Sequence, residues 1–436
     1  MEQKKEIREI IQEKFEIKLD AYSNILPKPY FKCMKDTFKG LFSTFSPIVS
    51  RIAKNIPGSV TNKKKEERVA YHLKSKVNFD KLCEAHMQKE SKSLTSDGLI
   101  IIDESDLIKP QANKMQNLSK VRDGSTGKTE KGYNSFNAVI VDTDAHGTVN
   151  VKPFYSYMYS NNYEMDSKND RLSNFINDIT IYSNNKGIYV FDRGYDDRKL
   201  IAQLTDQENA FVIRSTGVRD LYINGEKKKF KDVVKDVSLR HSYTCPIRNK
   251  HFKYGVIKVG INIDSHPTKT PNLAEVYLVV ARYADNGGYF YFFANYKNPC
   301  IPNNYIGQKT LEIYSKRWKI EQIFRHIKQD FNWESIQLLD YQRLQTMNLW
   351  FMIFAAFIYD YKDIIVRKAG RYAHFLYNRK NDAVVLKGFG YYRITALIKF
   401  IFSGIERRCR KKKRSDHMDK RQITLESYSL EFFGVC

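Results

Sequence analysis

The order of strand and helix patterns between residues 94 and 215 constrains the fold of this chain most strongly. Apolar runs rich in β-branched and aromatic residues predict five strands, at residues 99–102, 136–141, 149–157, 187–191 and 210–213. Apolar residues at helical spacing predict one helix between the third and fourth strands and another between the fourth and fifth. This alternation is typical of a mixed α/β (α+β) fold.

Two of the predicted strands end at an aspartate. Asp103 directly follows the first apolar run, and Asp192 directly follows the fourth. Glu104 and Asp106 are nearby alternatives to Asp103, but Asp103 is the residue that closes the run. Sites in open α/β sheets collect at the carboxyl ends of strands, so both aspartates are candidate site residues.

A third acidic candidate lies in residues 313–329, which have the pattern of one helix. At about 100° of rotation per residue, Tyr314, Arg317, Glu321 and Lys328 share a stripe about 60° wide. The stripe therefore holds one carboxylate among groups that bind phosphate. An ordinary amphipathic helix with a charged face is the alternative, although charges on a solvated helix usually alternate.

The spacing Tyr314-x2-Arg317-x3-Glu321-x6-Lys328 resembles the YREK signature of bacterial DDE transposases of the insertion-sequence-four group. The string RWKIE within the stripe and the string DRGY at residues 192–195 are similar to the same family. The family often has threonine two residues after its first catalytic aspartate, and Ser105 keeps that hydroxyl here. The resemblance covers residues 94–360, and the two ends of the chain match in general layout only.

The resemblance implies a ribonuclease-H-like catalytic core that is interrupted by a mostly β insertion, with helical N- and C-terminal regions. In such a core the first and fourth strands are parallel neighbours, so Asp103 and Asp192 would lie together.

The expected parts are a basic helical region that binds DNA ends (1–90), the first part of the core (91–215), the insertion (216–286), the second part of the core (287–365) and a basic C-terminal region for DNA contact or dimerisation (366–436). A helical cap that only packs on the core is the alternative for residues 1–90, and a solvated tail is the alternative for the basic cluster at 407–414.

The chemistry that the resemblance implies is metal-dependent cleavage of DNA. Asp103, Asp192 and Glu321 would be the catalytic carboxylates and would hold two Mg²⁺ ions, for which Mn²⁺ can substitute. The groups expected to bind DNA phosphates beside them are Tyr314, Arg317, Lys328 and Arg193.

Cut-and-paste members of the family flip a base out of a DNA hairpin and stack it on an aromatic ring of the last strand before the glutamate helix. That strand is predicted at residues 289–293, and Phe290 is the candidate, followed by Tyr289 and Tyr291. The alternative is that these rings alternate along a strand and only pack the core.

The charge balance supports a polyanionic partner, because 73 Lys and Arg against 49 Asp and Glu leave a formal net charge of +24. The expected partners are double-stranded DNA, as element ends and target, and a second copy of the chain in a homodimeric synaptic complex. No apolar run reaches the roughly 18 residues of a membrane span, so no membrane partner is expected. The N-terminal segment lacks the apolar core of a signal peptide, and the six cysteines form no CxxC pair, which favours reduced thiols in the bacterial cytoplasm.

The function expected from these observations is that of a DNA transposase that binds the terminal inverted repeats of its element and catalyses strand cleavage and strand transfer. A domesticated, non-catalytic DNA-binding protein derived from a transposase is the alternative, although such a protein would normally have lost a carboxylate. An RNA-binding protein is less consistent with the sequence, because no aromatic or glycine signature of an RNA module is present.

Overall fold

The computed structural model describes residues 2–143, 149–246, 250–264, 270–284, 287–297, 302–369 and 390–402. The basic cluster at 407–414 and most of the predicted C-terminal region lie outside the described residues. The strands are β1 (Leu99–Ile108), β2 (Ser119–Arg122), β3 (Thr129–Thr143), β4 (Val149–Tyr159), β5 (Ile188–Phe191), β6 (Ala210–Arg214), β7 (Asp220–Ile223), β8 (Glu226–Lys229), β9 (His241–Cys245), β10 (Lys250–Asn262), β11 (Leu273–Tyr283) and β12 (Tyr289–Asn295). The helices are α1 (Glu2–Asp20), α2 (Lys28–Thr44), α3 (Val49–Lys54), α4 (Asn62–Leu73), α5 (Lys76–Ser91), α6 (Lys168–Tyr182), α7 (Arg198–Asp206), α8 (Phe230–Asp236), α9 (Asn303–Ser315), α10 (Trp318–Asp330), α11 (Tyr341–Asp360), α12 (Lys362–Ala369) and α13 (Gly390–Phe402).

The predicted fold of a ribonuclease-H-like core is confirmed by the strand order β4-β3-β1-β5-β6. β1 pairs antiparallel with β3 and parallel with β5, and β5 pairs parallel with β6. The first and fourth predicted strands are therefore parallel neighbours, as in a ribonuclease-H-like core. The buried apolar side chains of β1 and β5 explain why both strands lie inside the sheet.

The core differs from the sequence-based expectation in two places. β1 does not end at Asp103 but continues to Ile108, because its second half keeps pairing with β3 after the pairing with β5 has stopped at Ile101. The stretch 109–132, which has the composition of a loop, contains β2 and the first residues of β3. Both differences come from pairing between distant parts of the chain, which a local pattern does not show.

The inserted strands extend the core sheet instead of forming a separate layer. β12 pairs antiparallel with β6 on one side and with β11 on the other, and β10, β7 and β8 follow. The region is mostly β, as expected, with the single short helix α8 among its described residues. The last core strand and the inserted strands are thus one continuous sheet.

The N-terminal helices share an aromatic core with α11. Phe15 of α1 lies 5.0 Å from Phe42 of α2 between ring centroids, and Phe42 lies 5.0 Å from Phe354 of α11. The indole of Trp350 on α11 donates to the hydroxyl of Tyr30 on α2, at 3.2 Å. α1 and α2 therefore pack together with α11 in one aromatic core.

The apolar character of α11 reflects this buried position. Its side chains from Met347 to Tyr359 are buried within the protein. Among the helices of the described ranges, none is both long and apolar enough to cross a membrane. Cys33, Cys83 and Cys245 are buried free thiols, as expected for reduced cysteines; the other three cysteines fall outside the described residues.

Candidate active site

Asp103 and Asp192 lie at the same level of two adjacent parallel strands. The register pairs Leu99 with Ile188 and Ile101 with Val190, and each aspartate follows two residues later. Side chains alternate along a strand, so the two aspartates continue the same row. The pairing of β1 with β5 thus brings the two predicted carboxylates together at one edge of the core.

The turn after β5 fixes the orientation of Asp192. Its carboxylate accepts a hydrogen bond from the backbone N–H of Gly194, at 2.8 Å, and so caps a short 3₁₀ turn over Arg193–Tyr195. The side chain of Arg193 is exposed at this turn. The DRGY string therefore forms a turn that fixes the carboxylate of Asp192 and leaves the side chain of Arg193 exposed next to it in the chain.

The stretch 313–329 is not one helix, which corrects the prediction. α9 ends at Ser315, and α10 begins at Trp318. In the turn between them, the N–H of Arg317 donates to the carbonyl of Tyr314, at 3.0 Å, which is the tighter spacing of a 3₁₀ turn. The ring of Tyr314 packs on Phe292 of β12, with 4.8 Å between centroids. This long-range contact separates Tyr314 from the helix that carries Glu321.

Arg317 joins the first and third predicted carboxylates. Its guanidinium donates to Glu321 Oε1 at 2.5 Å and to Asp103 Oδ2 at 3.5 Å. Although burial lowers the pKa of Arg317, Tyr314 and the carboxylates of Glu321, Asp103 and Asp192 together raise it. All three carboxylates therefore lie within the electrostatic reach of one guanidinium.

The carboxylates also affect one another. Burial raises the pKa of Asp103 to about 7; the Arg317 guanidinium opposes this shift, and the carboxylates of Asp192 and Glu321 add to it. Three acidic groups face one guanidinium, so negative charge remains that a further cation would stabilise. Carboxylate oxygens are also the donors that Mg²⁺ prefers.

The residues thus fit a divalent ion in charge and in donor type. In the described part of the chain, however, no three His, Cys, Asp or Glu side chains are arranged to coordinate an ion directly. Arg317 instead forms ion pairs with two of the three carboxylates.

The two alternative acids near Asp103 have other partners. Glu104 accepts a hydrogen bond from the hydroxyl of Tyr159 and forms an ion pair with Lys168. Asp106 pairs with Lys328, whose ammonium also lies 3.7 Å from Glu334. Lys328 is therefore bound to Asp106 of β1 and not to the carboxylates around Arg317.

Comparison with known families agrees with this geometry. The family model described as the transposase DDE domain matches residues 95–358, which is more than half of the chain. The chain belongs to the DDE transposase family. No curated protein sequence matches it. Among solved structures, it is similar to a cryo-EM structure of the piggyBac transposase synaptic complex with hairpin DNA, with a TM-score of 0.39 and 11% identity over 90% of this chain and 77% of that chain.

Arg214 is a further cation at this edge of the sheet, and it was not predicted from the sequence. Arg214 ends β6, as Asp192 follows β5, and it lies opposite Phe292 of β12. Its guanidinium lies 5.4 Å from the centroid of the Phe290 ring and interacts with the buried Tyr314. The signal that indicates it is a charged residue directly after the fifth predicted strand, 210–213, which the structure extends by one residue to Arg214.

The rings of β12 differ in their exposure. Phe290 is only 4% exposed and packs against Tyr283, with 5.1 Å between centroids, so its ring is less accessible than that of Tyr289, and its role in stacking stays a prediction. Tyr289 is 48% exposed and stacks on Tyr291 at 6.3 Å, and Arg282 lies 5.9 Å from its centroid. Tyr291 also packs on Phe230. Tyr289 is therefore the ring of this strand that is open to a ligand.

Proposed function

We propose that this transposase cuts DNA at the terminal inverted repeats of its mobile element and joins the freed 3′ ends to target DNA, as a cut-and-paste enzyme of the insertion-sequence-four group. The observation that supports this most is the arrangement of the three carboxylates. Asp103 on β1 and Asp192 directly after β5 each lie two residues beyond the last pair of the parallel register, and Arg317 links Asp103 to Glu321 of α10. The YREK spacing seen in the sequence supports the assignment to this group.

In this proposal Asp103, Asp192 and Glu321 hold two Mg²⁺ ions, with Mn²⁺ as a substitute. Such ions, when bound, activate the attacking oxygen and stabilise the leaving oxygen of a displacement at phosphorus. The carboxylates themselves have to be ionised to act as ligands, and burial together with mutual repulsion opposes this for Asp103. Arg317 stabilises their ionised form before DNA and metal arrive.

The cations around the carboxylates are proposed to bind the DNA backbone. The planar guanidinium of Arg317 can exchange its carboxylate partners for the oxygens of a phosphate, because the two anions have similar geometry. Arg193 and Arg214 follow or end the adjacent strands β5 and β6, and Lys328 of α10 binds Asp106, which lies further along β1 than Asp103. Tyr314 is buried, so we assign it to packing and to holding Arg214 and Arg317.

Recognition of the element ends is proposed for residues 1–90. Lys63 and Lys64 are exposed in the first turn of α4, and Tyr71 on the same helix is 74% exposed. Phosphate contacts from such residues position a protein on DNA. The remaining proposed parts are the core at 91–215 and 287–365, the insertion at 216–286 and a C-terminal region at 366–436. We propose a homodimer on paired ends, acting in the bacterial cytoplasm.

The domesticated, non-catalytic protein is less consistent with the structure, because it would have no need for three clustered carboxylates. The test that separates the two is cleavage of DNA that carries the flanks of the reading frame. The full chain should release 3′-hydroxyl ends at inverted repeats in Mg²⁺ and should release none in EDTA. Binding without cleavage in either Mg²⁺ or Mn²⁺ would support the non-catalytic alternative.

Arg317→Gln should make the stability of the protein depend more strongly on divalent ions. Without the guanidinium, the carboxylates of Asp103 and Glu321 repel each other, so an added ion that neutralises them stabilises the folded state more than in the wild type. We expect a larger Mg²⁺-induced rise in Tm, and a cleavage rate lower by about a hundredfold. Lys328→Gln is the matched control, because Lys328 pairs with Asp106 instead. An equal Mg²⁺-induced rise in Tm in the wild type and in Arg317→Gln would contradict the proposal that Arg317 neutralises the carboxylates of a divalent-ion site.

Tyr289→Ala should reduce hairpin formation on a pre-cut element end and leave the first nick unchanged. Stacking of a flipped base on an aromatic ring contributes about 1–3 kcal/mol, so the hairpin yield should fall severalfold or more. The products are separated on a denaturing gel. Phe290→Ala is the control, because loss of this buried ring should lower Tm. Unchanged hairpin yield in both Tyr289→Ala and Tyr291→Ala would exclude β12 as the stacking strand.

A further inference from the structure

Tyr195, the last residue of the 3₁₀ turn that follows Asp192, has a buried hydroxyl without a hydrogen-bond partner. The residue is 8% exposed, and no group in the described ranges bonds to its hydroxyl. Its ring packs on Phe191, with 5.4 Å between centroids. Other buried tyrosines of the core differ: Tyr189 shares a hydrogen bond of 2.8 Å with Thr180, and Tyr341 donates to Glu164 at 2.9 Å. A buried hydroxyl that makes no bond costs stability.

Tyr195 lies in the turn that Asp192, one of the candidate carboxylates, caps. The backbone N–H of Tyr195 donates to the carbonyl of Asp192, at 3.2 Å, so the two residues are held together. Burial raises the pKa of Tyr195, and the carboxylates of Asp103, Glu104 and Asp192 raise it further. The hydroxyl of a phenol is a hydrogen-bond donor.

These carboxylates already have other donors. Arg317 binds Asp103, the hydroxyl of Tyr159 donates to Glu104, and the N–H of Gly194 donates to Asp192. The Tyr195 hydroxyl is therefore a donor at the site that the protein itself does not use.

We propose that Tyr195 is a catalytic residue whose hydroxyl donates a hydrogen bond to an oxygen bound between Asp103 and Asp192. That oxygen belongs either to the phosphate that is cleaved or to a water on the divalent ion, and both accept from a phenol. A fixed donor aimed at an oxygen on which charge develops stabilises the transition state. No proton is transferred in this role. The inference rests on the proposed function, because it assigns a further residue to the same cleavage site.

Tyr195→Phe tests the proposal, since it removes only the hydroxyl and keeps the ring on Phe191. We expect an unchanged or higher Tm, unchanged binding of element-end DNA in Ca²⁺, and a single-turnover cleavage rate that falls at least tenfold. Tyr189→Phe is the matched control on β5, because its hydroxyl has a protein partner in Thr180. That control should lower Tm and leave the cleavage rate per folded molecule unchanged.

Titration with Mg²⁺ and with DNA distinguishes the two sources of the oxygen. Weaker Mg²⁺ binding by Tyr195→Phe without DNA would assign the bond to the ion-bound water, and an effect seen only with DNA would assign it to the phosphate. A wild-type cleavage rate in Tyr195→Phe would overturn the proposal, as would a loss of Tm as large as in Tyr189→Phe. Failure of the wild type to cleave in any divalent metal would instead contradict the proposed function itself.

Discussion

Glu321→Gln is expected to lower the rate of DNA cleavage by at least about a thousandfold, the scale on which the loss of a central catalytic group acts. Glutamine keeps the size of the side chain but removes the charge that binds a cation. Asp103→Asn and Asp192→Asn should have effects of the same size, because we propose that the three carboxylates act at one site. Binding of element-end DNA should be largely unchanged, since we propose residues 1–90 and cations beside the cluster, and not the carboxylates, for contact with DNA.

The rate is measured under single-turnover conditions in Mg²⁺, and DNA binding is measured separately in Ca²⁺. Asp106→Asn is the matched control, because Asp106 lies on the same strand as Asp103 but pairs with Lys328. The cleavage rate of Asp106→Asn should stay within a few-fold of the wild-type rate. Cleavage near the wild-type rate by any of the three substituted proteins would exclude that residue from the site.

Glu90→Ala is expected to lower the free energy of unfolding by about 3–5 kcal/mol, the usual cost of removing one partner from a buried ion pair. Glu90 of α5 binds Lys18 of α1 at 2.9 Å and Lys152 of β4 at 2.7 Å. The side chain of Glu90 is 2% exposed and that of Lys18 is 4% exposed. Lys18 also pairs with Asp360 of α11. The substitution would leave the buried ammonium group of Lys18 and the partly buried one of Lys152 to share the carboxylate of Asp360.

Chemical denaturation followed by tryptophan fluorescence measures this change, because Trp350 is buried between α2 and α11. Glu275→Ala is the control: Glu275 is 70% exposed beside Lys258, and the loss should be below about 1 kcal/mol. An equally small loss in Glu90→Ala would show that the network does not hold the N-terminal helices on the core.

The difference between wild type and Glu90→Ala should depend on pH in a defined direction. Although burial raises the pKa of Glu90, the attraction of Lys18 and Lys152 lowers it below its ordinary value. The stabilisation is therefore fully present above the ordinary pKa of a glutamate, about 4.3, and is lost progressively as the pH falls below it.

The core could be predicted from sequence because its signals are local. Each buried strand is a short apolar run, and Asp103 and Asp192 follow such runs directly. Because β1 and β5 pair in parallel, residues that follow the two apolar runs at the same distance lie close together, so no further contact has to be known to predict that Asp103 and Asp192 meet. The contact between Arg317 and Glu321 could also be predicted from local sequence, since the two residues lie one helical turn apart, and they bind each other in the structure.

The features that sequence did not predict depend on distant contacts. The break between α9 and α10 accompanies the packing of Tyr314 on Phe292, and nothing within 313–329 signals it. The period of β12 shows that its rings alternate, but not which row is covered, so Phe290 could not be distinguished from Tyr289. The partner of Lys328 depends on the extension of β1 to Asp106, which follows from pairing with β3.

Mn²⁺ binding to the full chain in complex with element-end DNA, followed by electron paramagnetic resonance, tests directly whether the three carboxylates form one metal site. We expect Asp103→Asn, Asp192→Asn and Glu321→Gln each to lower the Mn²⁺ affinity by at least about tenfold, while Asp106→Asn leaves it unchanged. Wild-type affinity in all three substituted proteins would contradict the claim that these carboxylates form one metal site.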